Sequence, residues 1–286
     1  MVEEIEHKLS KPHTDKGRLQ RACLQLLREH EADGALPTSN RFLFYELVSQ
    51  GTIPKSFPGK QRTPGQSVSD ATLRLREAGI IPWSWIVDET RTLHNWRYAP
   101  SVYGYVEGIL PAARIDVWDG EPPPLILCES RSLAGVLRQI AAAYLCPIAA
   151  TNGQVAGFLH TEVAPLLEAE GVRRVLYLGD LDLSGGHIEE NTRCTLEVYG
   201  ELGWQRLAIT NVQVRERGLT EVKKKDKRFN PPRTFPAVET EALRQQEIQR
   251  ILTERLDAEL PEPLAVVLER EEQQRVLVRE RLNRDE

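Results

Sequence analysis

At 286 residues the chain is long enough to bury a large core and to divide into two domains. Its 41% apolar and 28% charged residues are an ordinary globular balance. A net charge of −5 excludes a globally basic surface, so any nucleic-acid contact has to come from a local patch. Cys23, Cys128, Cys146 and Cys194 are scattered without a Cys-x-x-Cys, which suits buried thiols in a reducing cytoplasm better than a disulfide frame or a zinc site. No apolar run is long enough to span a bilayer, and the acidic start lacks a signal-peptide core. The expectation is a cytosolic protein without a targeting segment or membrane contact.

Residues 1–17 are polar and are expected to be flexible. A helix follows over 18–31, with Leu19, Ala22, Cys23, Leu26 and Leu27 on one face. Pro37-Thr38-Ser39-Asn40 punctuates and caps a second helix over 40–50. Residues 51–66, rich in Pro, Gly, Lys and Arg, read as a loop. Ser67 or Ser69 caps a third helix that carries Arg74 and Arg76 and ends at Ala78-Gly79. Residues 80–87 read as an extended hairpin arm bearing Trp83 and Trp85. These rings could stack on bases, but a Trp pair at a wing more often closes a small core. Three short helices and a β arm over 18–98 resemble a winged helix-turn-helix DNA-binding domain. Residues 99–122 read as a linker ending in Pro122-Pro123-Pro124.

From 123 to 260 strand and helix alternate. Strands are expected near 125–128, 146–150, 174–179 and 206–211, and helices near 132–145, 155–170 and 185–200. Such alternation implies an α/β fold with a parallel sheet and helices on both faces. Residues 151–154 form a turn at the strands' carboxyl edge, and 215–236 read as loop. The tail is helical, with Ile248, Ile251, Leu252 and Leu256 on one face and a last amphipathic helix near 264–282 within the final segment, 261–286. Its Glu- and Arg-rich surfaces are either solvated or packed on a partner.

Two strands end in acids. Leu125-Ile126-Leu127-Cys128 runs into Glu129, and Val175-Leu176-Tyr177-Leu178-Gly179 runs into Asp180-Leu181-Asp182. Residues two apart on a strand share a face, so Asp180 and Asp182 project together. Open α/β sheets bind ligands at this edge. Crowded carboxylates repel, and a hard divalent cation relieves the repulsion. Asp182 or Ser184 alone is more simply a helix cap.

The set Cys128-Glu129-Ser130 and Gly179-Asp180-Leu181-Asp182-Leu183-Ser184-Gly185 resembles the signature of the Toprim domain. Its Gly-Asp-x-Asp-x-Ser-Gly form is most similar to the A subunit of topoisomerase VI and its meiotic break-making relatives. It is also similar to Wadjet-type Toprim nucleases of plasmid defence. The resemblance covers roughly residues 120–245. It implies Mg²⁺ (or Mn²⁺) held by Glu129, Asp180 and Asp182, double-stranded DNA as substrate, a homodimer and an ATPase partner. It also implies a nucleophilic tyrosine four residues after an arginine, which Arg41-Phe42-Leu43-Phe44-Tyr45 matches; the apolar neighbours of Tyr45 equally suit a core residue with its hydroxyl at the edge. Arg41 would hold the phosphate or favour the phenolate.

Lys223, Lys224, Lys225, Lys227 and Arg228 give a local basic cluster on an acidic chain. They are either a phosphate clamp or a solvated loop. The resemblance points to Lys225, Asp226 and Glu239 as further site residues. His187 reads as a surface histidine, since an oxygen-ligand site does not need it. The expectation is Mg²⁺-dependent DNA cleavage. The alternatives are a catalytically silent DNA-binding module in a larger complex and a phosphotransfer enzyme acting on nucleotides.

Overall fold

A computed structural model describes residues 7–57, 63–87, 97–152, 156–219, 221–226 and 231–283. Three helices open it: α1 (Asp15–Ala32), α2 (Asn40–Ser49) and α3 (Pro64–Glu77). Thr14, Ser39 and Thr63 cap them by accepting from the backbone N–H of Gly17, Phe42 and Gln66. The cap of α3 is therefore Thr63, followed by Pro64 at the first helical position, and not Ser67 or Ser69. Cys23, Leu27, Leu43, Leu47, Val68 and Leu75 pack into one core. Each such fully buried aliphatic side chain contributes about 1.5–3 kcal/mol. A buried pair, His30 Nε2 to Glu46 Oε2 at 2.7 Å, ties α1 to α2.

Three expectations for residues 1–122 are corrected. Residues 83–85 form a 3₁₀ turn begun by Pro82, and Ile86 makes a parallel bridge to Thr38 where a hairpin arm was expected. Residues 88–96, within the expected winged-helix domain, lie outside the described residues. The segment before α1 folds back on it: Ser10 N donates to Gln20 Oε1 at 2.8 Å, and Leu9 packs against the core. Residues 99–122 are more than a linker. They hold α4 (Val102–Ile109), and Trp118 is buried with its Nε1 donating to Tyr144 O at 2.7 Å.

Four strands follow: β1 (Leu125–Cys128), β2 (Ile148–Ala150), β3 (Arg174–Leu178) and β4 (Gly203–Ala208). The last starts and ends three residues earlier than its pattern predicts. They form one parallel sheet in the order β2–β1–β3–β4. Between them run α5 (Arg131–Ala143), a π-helical stretch Leu159–Val163 leading into α6 (Ala164–Ala169), and α7 (Leu183–Glu197). Alternation along β1 and β3 sends Ile126, Cys128, Leu176 and Leu178 to one face and Leu125, Leu127, Val175 and Tyr177 to the other. The first face meets α5 and the tail helices; the second meets Leu159, Val163, Leu167 and Leu196. Helices therefore cover both faces.

The stretch 215–236, expected as loop, is structured. It holds the end of α8 (Asn211–Arg217) and an antiparallel pair, β5 (Val222–Asp226) and β6 (Arg233–Ala237). Its lysine run and Pro236 hide the strand pattern. Beyond β6, Val238 exchanges both backbone hydrogen bonds with Leu181, at 2.8 and 3.0 Å. The chain ends in α9 (Gln245–Asp257) and α10 (Leu264–Leu282). Among the described residues no helix is long and apolar enough to cross a membrane.

Candidate active site

The parallel register fixes the first two acids. Cys128 pairs with Leu178, so Glu129 and Gly179-Asp180 leave adjacent strands at one edge. Glu129 N donates to Leu178 O at 2.9 Å, and Glu129 Oε2 accepts from Asp180 N at 2.8 Å. The motif glycines are required by close approach. A Cβ at Gly179 would stand 2.9 Å from Glu129 Oε2, and one at Gly185 would stand 2.5 Å from Asp180 O. Asp182 caps α7, its Oδ1 accepting from Gly185 N at 2.6 Å.

The Leu181–Val238 bridge brings two more acids to this edge, Glu239 and Glu241. Thr240 donates to Asp180 Oδ1 from its backbone N–H at 2.8 Å and from its hydroxyl at 3.0 Å. Glu241, 1% exposed at its side chain, is held by Arg41 Nε at 2.7 Å. That ion pair crosses from the tail to α2. Gln245 Nε2 adds a hydrogen bond to Pro37 O at 2.8 Å. Phe42 of α2 is buried in the sheet's core while Leu43 and Leu47 stay in the N-terminal one. The helix is thereby clamped with Tyr45 beside the acids.

The result is a cleft of about 420 Å³. Arg41 and Tyr45 reach it from α2, Glu129, Asn152 and Asp180 from the sheet edge, and Lys224, Glu239 and Thr240 from the β5–β6 side. Lys55 Nζ lies 5.2 Å from the Tyr45 ring centre and 3.5 Å from Glu239 Oε2; the Arg41 guanidinium carbon is 5.8 Å from the same ring. A larger hollow of about 640 Å³, with Leu19, Ile53, Pro54 and Phe57 in its wall, lies among the N-terminal helices. It is away from the acids of the sheet edge, so the smaller cleft is the candidate site.

Electrostatics bear the marks of crowding. Burial, then the Asp180 charge, pushes Glu129 up to about 7. Burial leads the same rise to about 7 at Glu241; Arg41 opposes it, and the Asp180 and Glu239 charges add to it. Burial also raises Glu239. Asp182 goes the other way: burial favours its acid form, but the hydrogen bonds from Lys224 and Gly185 outweigh it. Burial, then the Lys224 charge, lowers Lys55.

The basic segment does not form one surface. Lys224 Nζ points into the acids, 2.7 Å from Asp182 Oδ2, 3.5 Å from Glu239 Oε1 and 3.8 Å from Asp180 Oδ2. Lys223 and Lys225 are exposed on the opposite face of β5. Asp226 pairs in register with Arg233 outside the cleft wall, so the lysine that joins Glu239 at the site is Lys224, not Lys225. Lys227 and Arg228 lie outside the described residues. Arg74 approaches Glu77 at 4.0 Å, and Arg76 stacks 4.9 Å over Trp83; neither lines the cleft. His187 is exposed and does not line it either.

No group of three His, Cys, Asp or Glu side chains that could hold a metal is assembled among the described residues. An ammonium stands between the acids instead. The donors nonetheless suit a hard divalent ion: Asp180 Oδ2, Asp182 Oδ2 and Glu239 Oε1 are carboxylate oxygens already gathered about one positive charge. Sequence reasoning missed Lys55, Glu241 and Thr240. Lys55 sits in a Pro- and Gly-rich loop with no pattern of its own, whereas Glu241 could have been found from its spacing to Glu239. Comparison with protein-family models, curated proteins and solved structures finds no significant match to this chain.

Proposed function

We propose that this protein is a divalent-cation-dependent DNA-cleaving enzyme of the Toprim kind, with its N-terminal helices acting as a winged-helix-like platform that docks duplex DNA. The observation that carries this reading is the single cleft in which Tyr45 of α2 meets Glu129, Asp180 and Glu239. These residues are scattered over nearly 200 positions of sequence, and a structural role alone does not require their meeting.

Glu129, Asp180 and Asp182, with Glu239 beside them, would hold Mg²⁺ or Mn²⁺. When bound, that ion supplies positive charge against the phosphate as negative charge grows in the transition state. The remaining work falls to the chain's own groups. Arg41 and Lys55 flank the Tyr45 ring and would draw the phosphodiester to it and favour the phenolate. The phenol oxygen attacks phosphorus, the bond to the 3′ oxygen breaks, the phenol proton passes to water and the departing oxygen gains one. A transient 5′-phosphotyrosyl link results. A symmetric homodimer would address one strand per protomer.

A second reading, a catalytically silent DNA-binding module, is favoured by one observation: Lys224 satisfies the acids without any metal. Incubation with supercoiled plasmid and Mg²⁺ separates the two. The proposal expects nicked or linear product that Asp180→Ala abolishes, and a covalent protein–DNA adduct in wild type that Tyr45→Phe lacks. Gel shifts without any cutting would favour the silent module. Wild-type cutting by Tyr45→Phe would remove the tyrosine from the mechanism and leave hydrolysis by water.

A further inference from the structure

We infer that Lys224 is a tethered surrogate cation, which occupies the carboxylate cluster in the metal-free protein and must be expelled for a divalent ion to enter. The inference rests on the metal reading above and adds its regulation. Three carboxylates from two stretches of chain, Asp180 and Asp182 from one and Glu239 from the other, lie within 3.8 Å of the one ammonium. The competition is for particular atoms. Asp180 Oδ1 is committed to Thr240, and Asp182 Oδ1 to Gly185, so the oxygens left for a cation are the Oδ2 atoms that Lys224 now faces. The approach is built in. Pairing of β5 with β6 and the Leu181–Val238 bridge fix Lys224 and Glu239 on one hairpin against the Asp pair. The exit is open as well. The Lys224 side chain is 44% exposed, and its four-carbon stem can swing to solvent without moving the strand.

A lysine in this position does two things. It offsets the mutual repulsion of the acids while no metal is present, and it weakens metal binding by the free energy of its own displacement. The ion then enters only by exchanging one positive charge for another. The freed ammonium is left at the cleft mouth, beside the phosphate that the proposed reaction brings there.

Titration of the full-length protein with Mn²⁺, followed by calorimetry, tests this. Lys224→Met is expected to bind Mn²⁺ roughly three- to tenfold more tightly than wild type, the scale of a partly exposed ion-pair network. Lys224→Arg, which keeps the cation, is expected to stay within about twofold of wild type. A second readout uses wild type alone, so a misfolded variant cannot decide the matter: the side-chain ammonium signal of Lys224 in ¹⁵N NMR should be visible without metal and vanish on adding Mg²⁺. Equal Mn²⁺ affinity in wild type and Lys224→Met, with the ammonium signal unmoved by Mg²⁺, would overturn the surrogate-cation role and leave the metal site standing. Folded wild type and Lys224→Met that both bind no Mn²⁺ would overturn the metal reading and this inference with it.

Discussion

Gly185 carries as much of the site's geometry as the acids do. Its missing side chain lets the start of α7 pass beneath Asp180, so a Cβ there would meet a backbone oxygen that cannot rotate away. Its neighbour Gly186 faces open space, with nothing within 4 Å of a built Cβ. Gly185→Ala is therefore expected to cost about 1–3 kcal/mol by overpacking, whereas Gly186→Ala gains about 0.5–1 kcal/mol from helix propensity. Urea denaturation of both variants checks this, and equal stability of the two would contradict the close approach. At this scale the sequence was partly legible. Glu129, Asp180 and Asp182 are readable because strand ends in a parallel sheet share an edge, and a two-residue spacing shares a face. Lys224 was legible as a charge but not as to its direction, since three successive lysines give no clue which one turns inward. Lys55 meets the site only through long-range contacts that no local pattern encodes, whereas Glu241 stands two residues from Glu239 and shares its reach toward the edge.

Among the elements, α10 shows how a charged helix is fastened without a broad apolar face. Val267 is buried in the core, and Glu271 accepts from Arg114 Nε at 2.8 Å and from Ile115 N at 2.9 Å, with Arg275 pairing to it one turn on. Burial disfavours the Glu271 charge, but these donors outweigh it and hold the carboxyl below its ordinary 4.5. Its folded form thus ionises more readily than its unfolded form, so the contribution is complete above pH 4.5 and is lost as pH falls through the lower folded value. Wild type is expected to lose stability in acid denaturation below pH 4.5 with a component that Glu271→Gln lacks; identical acid slopes in the two would contradict the tether. The helix itself was readable to the residue from its composition. The β5–β6 hairpin was not, because a lysine-rich edge strand has no apolar alternation, and its pairing depends on Val238 finding Leu181. The hairpin arm expected over 80–87 failed for the opposite reason: Pro82 and the Trp pair favour a tight turn that period-two reading overlooks.

For the whole molecule the decisive fact is that α2 belongs to two cores at once. Phe42 sits in the core of the sheet, Leu43 and Leu47 sit among the N-terminal helices, and the Arg41–Glu241 pair closes the seam. Alternation of strands and helices revealed the four-stranded parallel sheet and its two helical faces, but nothing in the pattern located the N-terminal helices against the sheet edge. That docking creates the cleft, and in the function proposed for it the acids would gather a divalent ion at the place where Tyr45 and Arg41 would receive a phosphodiester. Anomalous diffraction from crystals grown and soaked in Mn²⁺ would locate such an ion. A single strong peak among Glu129, Asp180 and Asp182, with Lys224 turned out, is the expected result. Saturating Mn²⁺ with no peak there, and Lys224 still bonded to Asp182, would rule out a divalent-ion site in this cleft.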